Sequence, residues 1–293
     1  MMDLVSVCIP TYNGSQFLQE SLESVKNQTY QNIEVIVSDN YSTDNTLNIV
    51  KKFKNEVDFP VKIFLNKRKS IGENWNNCIE KSSGDYIQFL FQDDILLPDS
   101  IEEKLKCIKK NNLKLVCSKR EIIDENGSNI NSGPWYESCY DLQKLNLGLD
   151  IDTYHLLTKK DLKKINFDWC STNIFGEPIS FLYKKEIFEE LGLFDVNYAQ
   201  LLDLEYGYRV LKKYPIGILD RKLFKFRLHQ NQATNINLED KIESRREENK
   251  IKAILINDFL RYMSFEFKKK YYFEKYPKIH KGLIRVKYFK SWL

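Results

Sequence analysis

The chain has 293 residues, 42% of them hydrophobic and 29% charged, which excludes both a small stapled scaffold and a generally disordered polymer. No run approaches the roughly 18 apolar residues that span a bilayer, and Asp3 precedes a strand-like VSVCI where an export signal needs a basic start, so neither a spanning helix nor export is expected. The net charge of +4 conceals an asymmetry: from Lys241 onward 15 Lys and Arg face 6 Asp and Glu, a charge of +9, whereas residues 1–240 carry 30 against 35, a charge of −5. A basic tail on an acidic body is the pattern of a chain that touches an anionic partner with one end.

Residues 5–10 (VSVCIP) read as a buried strand, and after the turn residues Asn13, Gly14 and Ser15 the apolar Phe17, Leu18, Leu22 and Val25 recur at helical spacing. The unit repeats: residues 33–38 predict a second strand, followed by a helix carrying Leu47, Val50 and Phe53 with Ser42 or Thr43 as candidate cap. Residues 61–65 predict a third strand, a helix through Trp75, Cys78 and Ile79 follows, and residues 86–91 predict a fourth strand. After Pro98 a helix to about Lys109 leads into a fifth strand at residues 113–118. Nearly continuous apolar strands alternating with helices predict an α/β fold whose parallel sheet is covered on both faces. From about Arg120 to Asn173 the pattern weakens into turn-rich pieces with a helix-like stretch near residues 156–165, which reads as an insertion over the sheet's edge. The sequence GEPISFLY, helices at residues 185–191 and about 201–213, and a strand at 223–229 come next. From Leu238 one or two helices carry apolar Ile251, Ile254, Leu255, Phe259 and Met263, then an aromatic and basic terminus.

The six cysteines (Cys8, Cys78, Cys107, Cys117, Cys139, Cys170) form no CxxC pair, so buried thiols of a reducing compartment are expected rather than a zinc ribbon or a redox pair. Ligands bind such sheets beyond the carboxyl ends of the strands. There the chain places Pro10-Thr11-Tyr12-Asn13, then Ser38-Asp39-Asn40 with Ser42-Thr43-Asp44, then Gln92-Asp93-Asp94. No GxGxxG follows the first strand and no GxxxxGK[ST] occurs, which removes the main support for dinucleotide oxidoreductases and P-loop NTPases. Asp93-Asp94 at a strand end offers hard oxygen ligands to Mg²⁺ or Mn²⁺ bridging substrate phosphates; the alternative is that the pair caps the next helix together with Asp99.

Taken in order, VSVCIPTYNGSQFLQESLESVKNQTYQNIEVIVSDNYSTDNT, NKRKSIGENWNNCIEKSSGDYIQFLFQDDILLP, GEPISFLYKKEIFEELGLFD and LLDLEYGYRVL resemble the family 2 inverting glycosyltransferases of bacterial surface-polysaccharide type. The resemblance implies the GT-A fold, a mostly parallel nucleotide-binding sheet flanked by helices. Residues 1–237 would form that domain, with a nucleotide-sugar half at 1–118 and an acceptor half at 119–237, and residues 238–293 a helical basic extension. It also implies a nucleotide-sugar donor, Mn²⁺ or Mg²⁺, and inverting transfer of a hexosyl or N-acetylhexosaminyl group to an acceptor hydroxyl on a lipid-linked polysaccharide intermediate.

Residue by residue, Pro10, Thr11, Tyr12 and Asn13 resemble the loop that lines the donor's base and ribose. Asp39 resembles the carboxylate that accepts from the base's ring N–H, which favours UDP or TDP; Asn40 stands where many members carry a second acidic residue. Asp94 matches the direct metal ligand and Asp93 lies nearer the ribose or sugar, while Phe91 replaces an acidic residue two places before it. Asp203 occupies the general base's position, among apolar Leu201, Leu202 and Leu204 that would raise its pKa, and Glu205 is the second choice. His229 resembles a histidine that reaches the metal or the diphosphate in some relatives; the other reading is an ordinary strand-end histidine. Trp169 and Glu177 match the region that shapes the acceptor pocket, Trp169 being equally readable as core.

The tail, with Lys268-Lys269-Lys270 and its aromatic residues, suits peripheral contact with anionic lipid or packing on the domain, and nothing in it favours nucleic acid. A cytoplasmic protein, at most peripheral at the inner face of the plasma membrane, is expected. Sequons at Asn13, Asn27, Asn40 and Asn126 do not argue otherwise, since two lie in the nucleotide pocket, where a glycan would block it. Two rival functions remain. A sugar-nucleotide nucleotidyltransferase would need a glycine-rich, basic first loop, which PTYNGS is not. A catalytically silent nucleotide-sugar-binding module of a synthase complex is disfavoured by Asp203 beside Asp93 and Asp94, and kept open by Phe91 and Asn40.

Overall fold

The computed structural model describes residues 2–67, 69–168, 171–232 and 241–277. Four parallel strands open the fold: β1 (Val5–Thr11) lies between β2 (Ile33–Asp39) and β4 (Tyr86–Phe89), and β3 (Val61–Leu65) flanks β2. Every residue of β1 and β2 is buried, which is why these strands read as continuous apolar runs. Their side chains alternate between two cores. Val5, Val7, Ile9, Val35 and Val37 face one cluster with α1 (Leu18–Lys26), α2 (Thr46–Lys54) and α4 (Ser100–Asn111). Cys8, Ile36, Ile87 and Phe89 face the other, with α3 (Ile71–Lys81) and α8 (Leu202–Lys213). This period-two division is what sandwiches the sheet between helical layers. Cys8, Cys78, Cys107 and Cys117 are buried free thiols and Cys139 is partly exposed; Cys170 lies outside the described residues.

The second half of the sheet is mixed. Antiparallel β8 (Phe181–Lys184) inserts between β4 and β6 (Leu115–Ile123), β9 (Ile216–Arg227) runs parallel to β6, and the two-residue β5 (Ile95–Leu96) closes the order β3-β2-β1-β4-β8-β6-β9-β5. Parallel pairing thus characterises the N-terminal half. Residues 124–168 are turn-rich as expected and depart from expectation at the helix-like stretch near 156–165. They hold short helices α5 (Pro134–Cys139) and α6 (Leu142–Leu147), then β7 (Tyr154–Leu157), which pairs with β9, and a 3₁₀ helix Lys159–Lys164. The expected helix at 156–165 fails because Thr158 and Asp161 form a capping box that ends the strand and starts the 3₁₀ turn. β9 begins seven residues before its expected start because Asp220-Arg221-Lys222 interrupts the apolar pattern without breaking the strand.

The helix α7 (Glu186–Leu191) precedes α8, and the C-terminal region supplies α9 (Lys241–Ile254) and α10 (Phe265–Lys275), joined by a π turn and a 3₁₀ turn. Ile251, Leu255, Phe259, Met263 and Phe267 enter the same core cluster as Leu202, Leu204 and Leu211 of α8. Phe267 packs edge-on against Phe167, with ring centroids 5.0 Å apart. The described part of the basic extension therefore packs on the domain. No helix among the described residues is long and apolar enough to cross a membrane.

One charged group sits inside this packing. Lys104 of α4 is fully buried and donates to Gln88 Oε1 at 2.8 Å and to the Ile179 carbonyl at 3.2 Å, which ties the short 3₁₀ helix Pro178–Ser180 to the sheet. Burial lowers its pKa from 10.5 to about 7. Between those values the unfolded chain binds more protons than the folded one, so Lys104 makes stability rise with pH across that window. Urea midpoints should show wild type gaining stability relative to Lys104→Met between pH 7 and 10; a difference that does not change with pH would show that the ammonium is unperturbed.

Candidate active site

The loops after β1, β2 and β4 open at one edge of the parallel half, and a hydrogen-bond web fixes them to each other. Asp39, fully buried at the end of β2, accepts from Thr11 Oγ1 at 2.9 Å, from Ser42 Oγ at 2.6 Å and from the Ser42 N–H at 2.9 Å. Asn13 adopts φ +46°, and its side-chain oxygen accepts from the Thr43 N–H at 2.8 Å while its own N–H donates to Ser42 Oγ at 2.9 Å. Pro10 is buried within β1, whereas Tyr12 projects outward with 42% of its surface exposed. The Asn40 amide is engaged elsewhere: it donates to the Lys69 carbonyl at 2.8 Å and accepts from the Lys69 N–H at 2.7 Å, so it holds the loop after β3.

Gln92 links this web to the acidic pair. Its Oε1 accepts from the Tyr12 N–H at 2.8 Å and its Nε2 donates to the Tyr12 carbonyl at 3.1 Å, a two-bond clasp that sequence reading missed. Asp93 and Asp94 cap no helix: β5 follows them directly, and α4 begins only at Ser100. Asp94 is buried and accepts from the Arg227 N–H at 3.0 Å. Burial, reinforced by the adjacent Asp93 charge, pushes its carboxyl well above the usual carboxylate range. Asp93 Oδ2 lies 2.9 Å from His229 Nε2, and the His229 ring packs on Phe17 at a centroid distance of 5.0 Å. The structure thus brings His229 to Asp93.

Arg227, also missed, underlies the pair. Its buried guanidinium donates to the carbonyls of Asp93 at 2.9 Å, Asp124 at 3.3 Å and Glu125 at 3.2 Å, pairs with Glu20, and lies over the Phe17 ring. Its one sequence signal is its place two residues before His229 in the strand end LFKFRLH, where Lys225 is a second cation.

Across the site, Asp203 is the second residue of α8 and accepts from the Leu204 N–H at 2.8 Å. Desolvation pushes its carboxyl up to about 7, with the charges of Glu177 and Glu247 adding to the rise. Glu177 acts on Asp94 as well, so one carboxylate is felt by both sides of the site. Its Oε1 pairs with buried Arg120, which also donates to the Cys139 carbonyl at 2.7 Å; its buried Oε2 has no hydrogen-bond partner among the described residues. Glu205 is held by its i+4 neighbour Arg209 through two hydrogen bonds, and Arg209 in turn donates to the carbonyls of Leu191 and Leu193. That ion pair leaves Asp203 as the acid of α8 whose charge is not matched by an arginine. Trp169 lies outside the described residues. Among those residues no three His, Cys, Asp or Glu side chains converge as a metal cage.

Residues 6–192 match the family described as Glycosyl transferase family 2. The chain belongs to that family. An uncharacterized glycosyltransferase of Rickettsia felis is 28% identical over 236 residues, 79% of this chain and 35% of that protein. Chondroitin synthase of Escherichia coli is 33% identical over 180 residues, 60% of this chain and 25% of the synthase. The crystal structure of S. aureus TarS 1-349 in complex with UDP-GlcNAc superposes with a TM-score of 0.61 at 20% identity, over 79% of this chain and 60% of that one. The structural likeness shows the GT-A fold. The chain spans less than two thirds of the length of each of these relatives.

In this family 2 chain the clasp between the first loop and the acidic pair requires a glycine at position 14. A Cβ there would stand 2.2 Å from Gln92 Oε1 and 2.4 Å from its Cδ. Gly14→Ala should therefore displace Gln92 from Tyr12 and cost about 1–3 kcal/mol in urea unfolding. Combining it with Gln92→Ala should cost less than the two single changes added; strict additivity would show that the contact is not shared.

Proposed function

We propose that the chain transfers a hexosyl or N-acetylhexosaminyl group from a UDP- or TDP-sugar to an acceptor hydroxyl with inversion, on a lipid-linked polysaccharide intermediate. The observation that carries this reading is Asp203, a partly buried carboxylate in the first turn of α8 whose pKa burial raises to about 7, and which feels the charge of Glu177 as Asp94 does. A base poised near neutrality combines the ionised form with enough proton affinity to take a hydroxyl proton. Asp203 would accept the acceptor's proton as its oxygen attacks the anomeric carbon, and the bonding pair of the sugar–phosphate bond would leave with the diphosphate. Attack from the face opposite the leaving group inverts the configuration.

Asp39 supports a uracil or thymine donor, since an ionised carboxylate only accepts and the ring N3–H of those bases donates. The residues at the β4 end fit a divalent cation in the manner usual for Mg²⁺, in which one or two carboxylates hold the ion and substrate phosphates complete its shell. Asp94 would hold it, with Asp93 and His229 alongside, and the cation would neutralise charge on the departing diphosphate. A carboxyl whose pKa burial and a like charge have raised has a charge deficit that such an ion makes good. The lipid-linked acceptor is supported by the surface of α10, where Phe265 and Tyr272 are exposed near Lys268, Lys269 and Lys275.

Nucleotide release from UDP-, TDP- and GDP-sugars, with Mn²⁺ or EDTA, tests the reading. One donor should be hydrolysed slowly, with loss of activity in EDTA and in Asp94→Ala, and a fall of about 100-fold or more in Asp203→Asn. Because the ionised carboxylate is the active form, the wild-type rate should rise with pH through about 7 and level off above it. A donor that binds by calorimetry yet releases no nucleotide, even with lipid extract as acceptor, would sink the transferase reading.

A further inference from the structure

Glu247 of α9 is fully buried, although it lies in the charged run ESRREENK. Its carboxylate leaves its own helix and accepts three consecutive backbone N–H groups: Ala199 on Oε1, and Gln200 at 3.1 Å and Leu201 at 2.9 Å on Oε2. Those residues form the turn into α8. The residue at that helix's N-cap is Leu201, whose side chain has no acceptor, and no side-chain cap is made from within the turn. A helix start leaves N–H groups orphaned and carries the positive end of the dipole, and a carboxylate answers both. Glu247 takes, from 46 residues away, the N–H of the N-cap residue Leu201, the one a capping-box Glu ordinarily takes, together with the two N–H groups that lead into it.

Asp203 follows two residues after the last of these N–H groups and is itself in the first turn of α8. The turn cannot move without moving Asp203. Neighbouring contacts of the same helix hold the approach to the turn: Lys250 donates to the Asn197 carbonyl at 2.9 Å and lies over the Tyr198 ring. Glu247 also lies beyond residues 6–192, the span matched to the family.

We propose that Glu247 is a positioning residue for Asp203, supplied by the C-terminal extension to cap and charge the start of the helix that carries the base. This rests on the assignment of Asp203 as base. The groups that face Asp203 are Glu177 from the loop before Pro178–Ser180, Tyr183 from β8, Glu247 from α9 and the Leu204 N–H of its own helix; Glu205 is matched by Arg209. Of these, Glu247 joins a negative charge to a direct hold on the helix start, so its removal should change both the placement and the titration of Asp203.

The test uses the full chain as Glu247→Gln, with Lys250→Ala as a control that removes a docking contact of α9 but not the cap. The Asp203 carboxyl is titrated by ¹³C NMR, its resonance assigned by its loss in Asp203→Asn. Glu247→Gln should move the midpoint to lower pH, since it removes a like charge. It should also lower kcat for the hydrolysed donor about 10- to 100-fold, with KM for that donor within about twofold, as expected for a misplaced base. Lys250→Ala should do neither. The inference is overturned if Glu247→Gln leaves midpoint and kcat at wild-type values, or if Lys250→Ala matches its effects, which would make α9 a general brace. If Glu247→Gln does not fold, Glu247→Asp, which keeps the charge and withdraws it by one methylene, should lower kcat with little change in midpoint; an unaltered kcat there overturns the inference. Should wild type hydrolyse no donor, the transferase reading fails by itself, and the NMR midpoint still decides whether Glu247 acts on Asp203.

Discussion

Carboxylates held out of water by backbone N–H groups, rather than by cations, are the constraint on which this site depends. Asp39 is gripped by the Ser42 N–H and two hydroxyls, Asp94 by the Arg227 N–H, Asp203 by the Leu204 N–H, and Glu247 by three N–H groups before α8. A peptide dipole fixes a carboxylate's position without cancelling its charge. What remains must be met by a proton, a metal ion or a substrate donor, and that residual demand is the raw material of chemistry. Other acids are matched by a cation. Glu205 has Arg209, and Glu34 has Lys62 at 2.7 Å together with Ser6.

That distinction explains what could be read from sequence. LLDLEYGYRVL offers two acids two residues apart, and pattern alone ranks Asp203 over Glu205 only through resemblance. The structure separates them by the i,i+4 arginine, a relation visible in sequence as Glu205 and Arg209 at helical spacing. β1, β2 and β4 were legible because both faces of each are buried, so most positions are apolar or small, while the partly exposed β3 showed through the apolar side chains flanking Lys62. In the later half the helices α7 and α8 were legible, but the strands only in part. β9 carries Asp220-Arg221-Lys222 in mid-strand, and its pairing with β6 shifts register around Lys119, so neither strand shows a clean period. Gln92, Arg227 and Glu247 act across 80, 134 and 46 residues of sequence, and such contacts leave no local signature.

The charge asymmetry of the chain suggests a tail that touches an anionic partner or packs on the domain. Within the described residues the extension packs on the domain, and its charges are partly used there. Lys212 of α8 pairs with Asp258 at 2.6 Å, Lys270 pairs with Asp168, and Lys250 reaches the Asn197 carbonyl. Exposed pairs of this kind contribute at most about 1 kcal/mol each, too little to fix a helix. The larger hold is apolar: Ile251, Leu255, Phe259 and Phe267 are almost wholly buried against α8 and its neighbours, and each such side chain is worth about 1.5–3 kcal/mol of burial.

A fold boundary drawn by charge or by family span therefore differs from one drawn by cooperative packing. The family span ends at residue 192, before α8, yet α8 carries the proposed base and shares its core with α9 and α10. Cutting the chain there would remove the helix, and cutting before Lys241 would leave the helix while stripping its apolar backing and the carboxylate at its start. In the second case Tyr208, now 5.8 Å from the Phe259 ring, would face water, and the N–H groups of Ala199, Gln200 and Leu201 would lose their acceptors. The cooperative packing unit is for this reason the parallel sheet, its mixed partner and the described helices of the extension together.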